Sequence, residues 1–211
     1  MLKPSFSSIK NIVFDIGNVL VDIDYNVTIA EFQKLATVDF STIVSYSKQD
    51  NLFDLFEKGQ ITAQEFRNSL KKYLKPNVTD LEIDAAWNSI LIAYPAPKFK
   101  LLRQLKNQYR IFALSNINEI HVAAIDKAAQ ELLNEDKFAN FFHHAYYSNE
   151  TGFRKPEIEI YELLLQEQFL NPNDTLFIDD KAENIQAAAA LHIQTHHLTD
   201  RNKLFDLFED Y

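Results

Sequence analysis

The sequence predicts an α/β fold: a Rossmann-like, doubly wound parallel sheet carrying an inserted small helical cap domain. Three observations predict it. Short apolar runs rich in β-branched and aromatic residues end abruptly in polar residues at several points, as strands buried on both faces do. Helical patterns fill the stretches between those runs, the alternation that builds a parallel sheet with helices on both sides. Residues 25–94 break the alternation and are helical in periodicity throughout.

Taken in order, the first strand is Ile12-Val13-Phe14, within residues 9–21, and it ends in Asp15. The helical block follows, with pieces at residues 27–36, 41–56, 62–74 and 79–91. Phe66, Leu70 and Tyr73 recur there at helical spacing. Thr62 with Glu65, and Thr79 with Glu82, each fit a capping box that opens a helix. Trp87, Phe53 and Phe56 are expected to pack this block, and Pro95 and Pro97 close it. The remainder alternates: a helix at 98–107, a strand at 110–114 ending in Ser115-Asn116, and a helix at 119–134. A weaker strand at 145–147 precedes Ser148, followed by a helix at 157–169. The last pair is a strand at 175–178 ending in Asp179-Asp180 and a helix at 182–191. Leu204, Phe205, Leu207 and Phe208 form an apolar stripe expected to dock the tail onto the core. The expected domains are a core of residues 1–24 and 95–211 and a helical cap of residues 25–94.

Composition narrows the function classes. The 211 residues are 46% hydrophobic and 24% charged, enough for a sizeable core plus a small accessory domain. Cysteine is absent, which excludes disulfides, thiolate metal sites and cysteine nucleophiles. The net charge of -9, with no concentrated basic patch, argues against nucleic acid as a partner. Residues 1–10 lack the apolar segment of a signal peptide, and nothing approaches the ~20 apolar residues that span a bilayer. A cytoplasmic protein without a membrane association is the expectation. The pairs His143-His144 and His196-His197 point side chains apart on a strand and read as surface or core residues rather than zinc ligands.

In open α/β sheets, ligands bind beyond the carboxyl ends of the strands. Three of the expected strands present polar groups at that edge: Asp15, Ser115-Asn116 and Asp179-Asp180. Clustered carboxylates are costly unless a cation joins them, and a hard divalent ion such as magnesium suits oxygen ligands and a phosphate. Lys155, in Arg154-Lys155-Pro156, is a source of positive charge for a phosphate and a carboxylate nucleophile together. Each residue also has a plain structural reading, as a turn acid, a helix cap or a solvated lysine. It is their convergence on one sheet edge that carries the argument.

These segments resemble the four motifs of the haloacid dehalogenase-like superfamily, in order and across nearly the whole chain. The first is Phe14-Asp15-Ile16-Gly17-Asn18-Val19-Leu20-Val21-Asp22 and the second Leu114-Ser115-Asn116. The third is Gly152-Phe153-Arg154-Lys155-Pro156 followed by Ile160-Tyr161, and the fourth Phe177-Ile178-Asp179-Asp180 with Asn184. Phe56-Glu57-Lys58-Gly59-Gln60-Ile61-Thr62 resembles a turn of the superfamily's small helical cap. Within the superfamily, the Asp-x-Gly-Asn-Val form is similar to bacterial sugar-phosphate phosphatases of the glucose-1-phosphate type. The resemblance implies a Mg2+-dependent phosphatase acting on a small phosphorylated metabolite through an aspartyl-phosphate. It implies Asp15 as nucleophile and metal ligand, with Gly17 offering its backbone carbonyl to the metal. Ser115 and the amide of Asn116 would hold phosphate oxygens, and Lys155 would bind the phosphate. Asp180 would ligate the metal with help from Asp179, and Asn184 would orient the acidic pair.

One position departs from the family pattern. Most of these phosphatases carry a second aspartate two residues after the nucleophile, as proton donor and base, where this chain has Gly17. General acid–base help is worth about 10²–10⁴-fold, so the loss matters. Three readings stand open: a leaving group that needs little protonation, substitution by Asp22 or Asp24, or a protein that binds phosphorylated ligands with weak or no turnover. A 2-haloacid dehalogenase shares the fold and the missing aspartate, but such enzymes use no magnesium and generally lack a pair like Asp179-Asp180. Neither the exact substrate nor the oligomeric state is legible in the sequence.

Overall fold

A computed structural model describes residues 8–40 and 51–208. Five parallel strands form the main sheet: β1 (Asn11–Phe14), β4 (Arg110–Ser115), β5 (His144–Tyr147), β6 (Thr175–Asp179) and β7 (Gln194–His197), in the order β5-β4-β1-β6-β7. The chain winds outward from β1 in both directions, so β1 lies at the point where the strand order reverses. The register sets Phe14 opposite Ala113 on β4 and Ile178 on β6, which brings the carboxyl ends of the three central strands level.

The alternation of side chains along each strand divides the core into two layers. Ile12, Phe14, Ile111, Ala113, Leu176 and Ile178 face one side. There they meet the helices α5 (Ala96–Leu105) and α6 (Glu119–Leu133) through Phe99, Leu102 and Ile125. Val13, Phe112, Leu114 and Phe177 face the other, against α8 (Ile158–Glu167) and α9 (Ala182–Ala190). The tail does dock: Leu204, Leu207 and Phe208 are buried in the first layer, although two short 3₁₀ turns carry them rather than one α-helix.

The helical block comprises α1 (Tyr25–Leu35), α2 (Leu52–Glu57), α3 (Ala63–Lys71) and α4 (Asp80–Asn88), around an aromatic core of its own. Phe56 stacks on Phe66 at 4.2 Å and Phe53 on Trp87 at 5.5 Å. Both capping boxes form. Thr62 and Thr79 each donate their backbone N–H to the glutamate three residues on, at 2.8 Å, and accept its N–H at 3.3 Å. Part of the expected 41–56 helix, residues 41–50, lies outside the described residues.

The 79–91 helix is corrected by the structure. It stops at Asn88, because Ile90 gives its carbonyl to Asp24 N–H (3.0 Å) and the chain becomes β3 (Leu91–Ala93). β3 pairs antiparallel with β2 (Asp22–Ile23), so the chain enters and leaves the helical block side by side through a two-stranded ribbon. No helix among the described residues is long and apolar enough to cross a membrane.

Candidate active site

Asp15 extends β1 by one residue and is 7% exposed. On one side Ser115 closes β4, and on the other Asp179 closes β6. Lys155 arrives from the loop between α7 (Ser148–Thr151) and α8, and its side chain is buried beneath this edge. Its Nζ lies 2.7 Å from Asp15 Oδ1 and 2.7 Å from Asp179 Oδ2. Asn116 fixes the loop that delivers the lysine, donating its amide to Lys155 O and accepting Lys155 N–H, both at 2.8 Å. The Asn116 side chain is thereby committed to the loop and is not the part of that residue available to an anion.

The two adjacent aspartates do different work. Asp179 is fully buried and saturated: Lys181 N–H donates to Oδ1 at 2.8 Å, Asn184 to both oxygens at 3.0 Å, and Lys155 to Oδ2. Asp180 is partly exposed and accepts from Asn18 Nδ2 at 3.2 Å. Its backbone carbonyl accepts from His197 Nε2 at 2.9 Å, which fixes that imidazole as an Nε2–H tautomer. Asn18 sits at φ 54, a left-handed conformation that Asn tolerates, and so turns the chain back to face Asp180.

Electrostatics follow from burial. Asp15 is pushed up to about 6 by burial, opposed by Lys155 and helped by the Asp179 charge. Burial likewise raises Asp180. Burial works against the Lys155 ammonium, but Asp15 and Asp179 outweigh it and raise its pKa above the ordinary lysine value. Asp15, Asp179 and Asp180 each offer an oxygen within 4.8 Å of the others. With Asp179 saturated by its own donors, Asp15 and Asp180 are the carboxylates left wanting positive charge. All-oxygen donors of this kind fit a hard divalent cation.

Of the expected residues, the structure assembles Asp15, Gly17, Ser115, Asn116, Lys155, Asp180 and Asn184 around one polar cavity of about 60 Å³. Asp22 and Asp24 are occupied elsewhere. Asp22 pairs with the buried Lys98 at 3.1 Å, and Asp24 caps α1 by accepting Asn26 N–H at 2.8 Å. Four lining residues had no role assigned from the sequence: Asn18, Ile23, Tyr25 and Lys181. Asn18 and Ile23 stand within and just after the first quoted motif and Lys181 just after the fourth's acidic pair, whereas Tyr25 opens α1 and lies outside every quoted motif.

A second cavity of about 120 Å³ adjoins the first and shares Gly17, Ile23, Tyr25, Ser115 and Asn116 with it. Its far wall belongs to the helical block, with Glu57, Trp87 and Thr28. Here Trp87 stacks on the core residue His121 at 5.2 Å, and His121 donates through Nε2 to Trp87 O at 3.1 Å while its Nδ1 accepts from Asn118. Burial pushes His121 down to about 4, so the ring is neutral. Wider grooves of about 620 and 660 Å³ open elsewhere on the surface, but neither contains any of the clustered acids.

This geometry places the chain in a class: a Rossmann-like α/β fold with a carboxylate, a lysine and an acidic pair at the strand switch point. Residues 9–192 match the family model of the haloacid dehalogenase-like hydrolases, and the chain belongs to that family. It is similar to D-ribitol-5-phosphate phosphatase of Bacteroides thetaiotaomicron, at 31% identity over 89% of this chain and 90% of the relative. It is also similar to the sesquiterpene phosphatase of Aspergillus oryzae, at 27% identity over 92% of each chain. Among solved structures, a haloacid dehalogenase-family enzyme of B. thetaiotaomicron in complex with magnesium and inorganic phosphate superposes with a TM-score of 0.81. It is 35% identical, over 90% of this chain and 93% of that one. A dehalogenase structure at 20% identity and a TM-score of 0.66 shares the fold.

Proposed function

We propose that this protein is a magnesium-dependent phosphatase of a small phosphorylated metabolite, a sugar or sugar-alcohol phosphate, and that Asp15 is its nucleophile. One observation carries the reading: the buried Asp15 carboxylate is held through Oδ1 by Lys155, while no described residue hydrogen-bonds its other oxygen. Phosphatase names among the relatives, and a similar structure holding magnesium and phosphate, support it.

In this reading Asp15, Asp180 and the backbone carbonyl of Gly17 hold the metal. When bound, the metal supplies positive charge that lets an anionic carboxylate meet an anionic phosphate. Lys155 stabilises the charge that gathers on the phosphoryl oxygens, and Ser115 with the Asn116 backbone orients them. Asp179 and Asn184 hold Lys155 in place rather than touching substrate. Asp15 attacks phosphorus and forms an aspartyl-phosphate, the bond to the leaving oxygen breaks, and water then releases phosphate. Chemistry of this kind is positioning and electrostatic stabilisation. Residues 25–94 act as a cap that closes over the second cavity and selects the leaving group.

The test is phosphate release from a panel of sugar and polyol phosphates, with magnesium and with chelator, for wild type and Asp15→Asn. Magnesium-dependent release that vanishes in the variant is the expected result. A folded wild type that binds magnesium and inorganic phosphate but releases nothing from any substrate would instead favour a binding role, the reading that Gly17 suggests.

A further inference from the structure

We propose that Glu57, carried on the cap, is the proton donor to the leaving oxygen and then the base for water, the task for which position 17 has no carboxyl. The inference rests on the phosphatase reading above.

Among the acidic residues that line the two joined cavities, Asp15 and Asp180 are the nucleophile and a metal ligand. Glu57 is the remaining carboxylate. It closes α2 and lines the space of about 120 Å³ together with Gly17 and Ser115, so Glu57 and the phosphate edge border one volume that a leaving group would enter. Its ion-pair partner is Arg154. Arg154 Nη2 lies 2.9 Å from Oε2, yet off the line a hydrogen bond requires, so the oxygen is paired by charge and left without a donor. The same guanidinium grips Asp54 one turn earlier, which fixes the end of α2 against the loop that presents Lys155. Asp22 and Asp24, the two nearest acids in sequence, are committed to Lys98 and to the α1 N-terminus.

Burial is the largest influence on the Glu57 carboxyl. Burial raises the pKa of Glu57, with Asp54 adding to it, while Arg154, Lys181 and Lys155 oppose. Tyr25 faces it from α1, and the imidazole of His121 in the same cavity is neutral. The balance of atoms is simple. As Asp15 Oδ bonds to phosphorus, the bond from phosphorus to the ester oxygen breaks and its electron pair stays on that oxygen, which takes the Glu57 proton. The Glu57 carboxylate then takes a proton from the water that attacks the aspartyl-phosphate. Free phosphate, Asp15 and protonated Glu57 are restored.

The experiment compares an alkyl and an aryl ester, β-glycerophosphate and p-nitrophenyl phosphate, with wild type and Glu57→Gln. The quantity kcat/KM reports steps up to departure of the leaving group, and a nitrophenolate departs without a proton. Glu57→Gln is expected to lower kcat/KM about 100-fold for the alkyl ester, the scale of general acid help, and only a few-fold for the aryl ester. The wild-type alkyl profile falls as pH rises through the pKa of Glu57, a limb missing from the aryl profile and from the variant. That contrast within the wild type decides the matter even if the variant folds poorly. Equal losses for both esters, or none, overturn the proposal, because a carboxylate that only seats the cap through Arg154 affects both alike. A folded wild type that releases phosphate from neither ester nor from any sugar or polyol phosphate overturns the phosphatase reading itself.

Discussion

Lys155 Nζ sits 2.7 Å from Asp179 Oδ2, and neither side chain is exposed by more than 1%. Asp179 is therefore the fixed counter-charge that keeps the lysine aimed at Asp15. Removing one member of a buried pair leaves the other uncompensated and typically costs 3–5 kcal/mol. Because Lys155 retains Asp15, Asp179→Asn is expected to lose about 3 kcal/mol, the low end of that range. Thermal or denaturant unfolding checks the loss, and phosphate release is expected to fall at least tenfold with Mg2+ affinity little changed.

The partly exposed neighbour should behave in the opposite way. Asp180→Asn is expected to weaken Mg2+ binding by ~100-fold or more, at or above the top of the 10–100-fold range typical of groups one layer further out. Metal-free stability should hold or rise slightly, since burial already disfavours the Asp180 charge. Calorimetric titration with magnesium and a metal-free melt separate this outcome from the Asp179 result.

His121 gives a pH signature. Its folded-state pKa lies near 4, below the ordinary 6.5, because burial disfavours the imidazolium. Between those values the unfolded chain takes up a proton that the folded chain refuses, so the stability held above pH 6.5 is lost as pH falls toward 4. The shift of about two and a half units corresponds to roughly 3 kcal/mol at most. His121→Asn is expected to flatten this part of the stability profile, measured from pH 7 to 4, and to loosen the Trp87 stack as read by tryptophan fluorescence.

Gly59 is a steric contact between the helical block and the core. It has φ +63, and a Cβ there would lie 2.1 Å from the backbone oxygen of Asn149 in α7. The left-handed conformation alone costs a side chain about 1 kcal/mol, and the collision is with backbone that cannot swing aside. Gly59→Ala is expected to retain helical circular dichroism while kcat/KM falls more than tenfold, because the end of α2 can no longer seat against the core.

The strands that carry the site were legible because they are buried on both faces, which makes Ile12-Val13-Phe14 and Thr175–Asp179 nearly continuous apolar runs. β7, an edge strand of sequence Gln-Thr-His-His with every residue half-buried, has no such run to read. The ribbon of β2 and β3 is too short to show a period, and its pairing is what ended the 79–91 helix early. Asp15, Lys155 and Asp180 were visible as motif residues. Tyr25 at the start of α1 and Glu57 in the quoted cap turn carried no legible site role, and only tertiary packing brings them to the second cavity. Asp22 and Asp24 illustrate the converse, since proximity to Gly17 in sequence did not give either a place in the cavity.

The ribbon also bears on how such a protein can change. The pairing of β2 with β3 makes everything from Tyr25 to Ile90 a closed excursion, whose two ends meet whatever lies between. A different excursion with the same meeting ends would leave the alignment of β1 with β4 and β6 undisturbed. Recombination or gradual drift can then exchange the helical wall of the second cavity as one cassette, while Asp15, Lys155 and Asp180 are inherited intact.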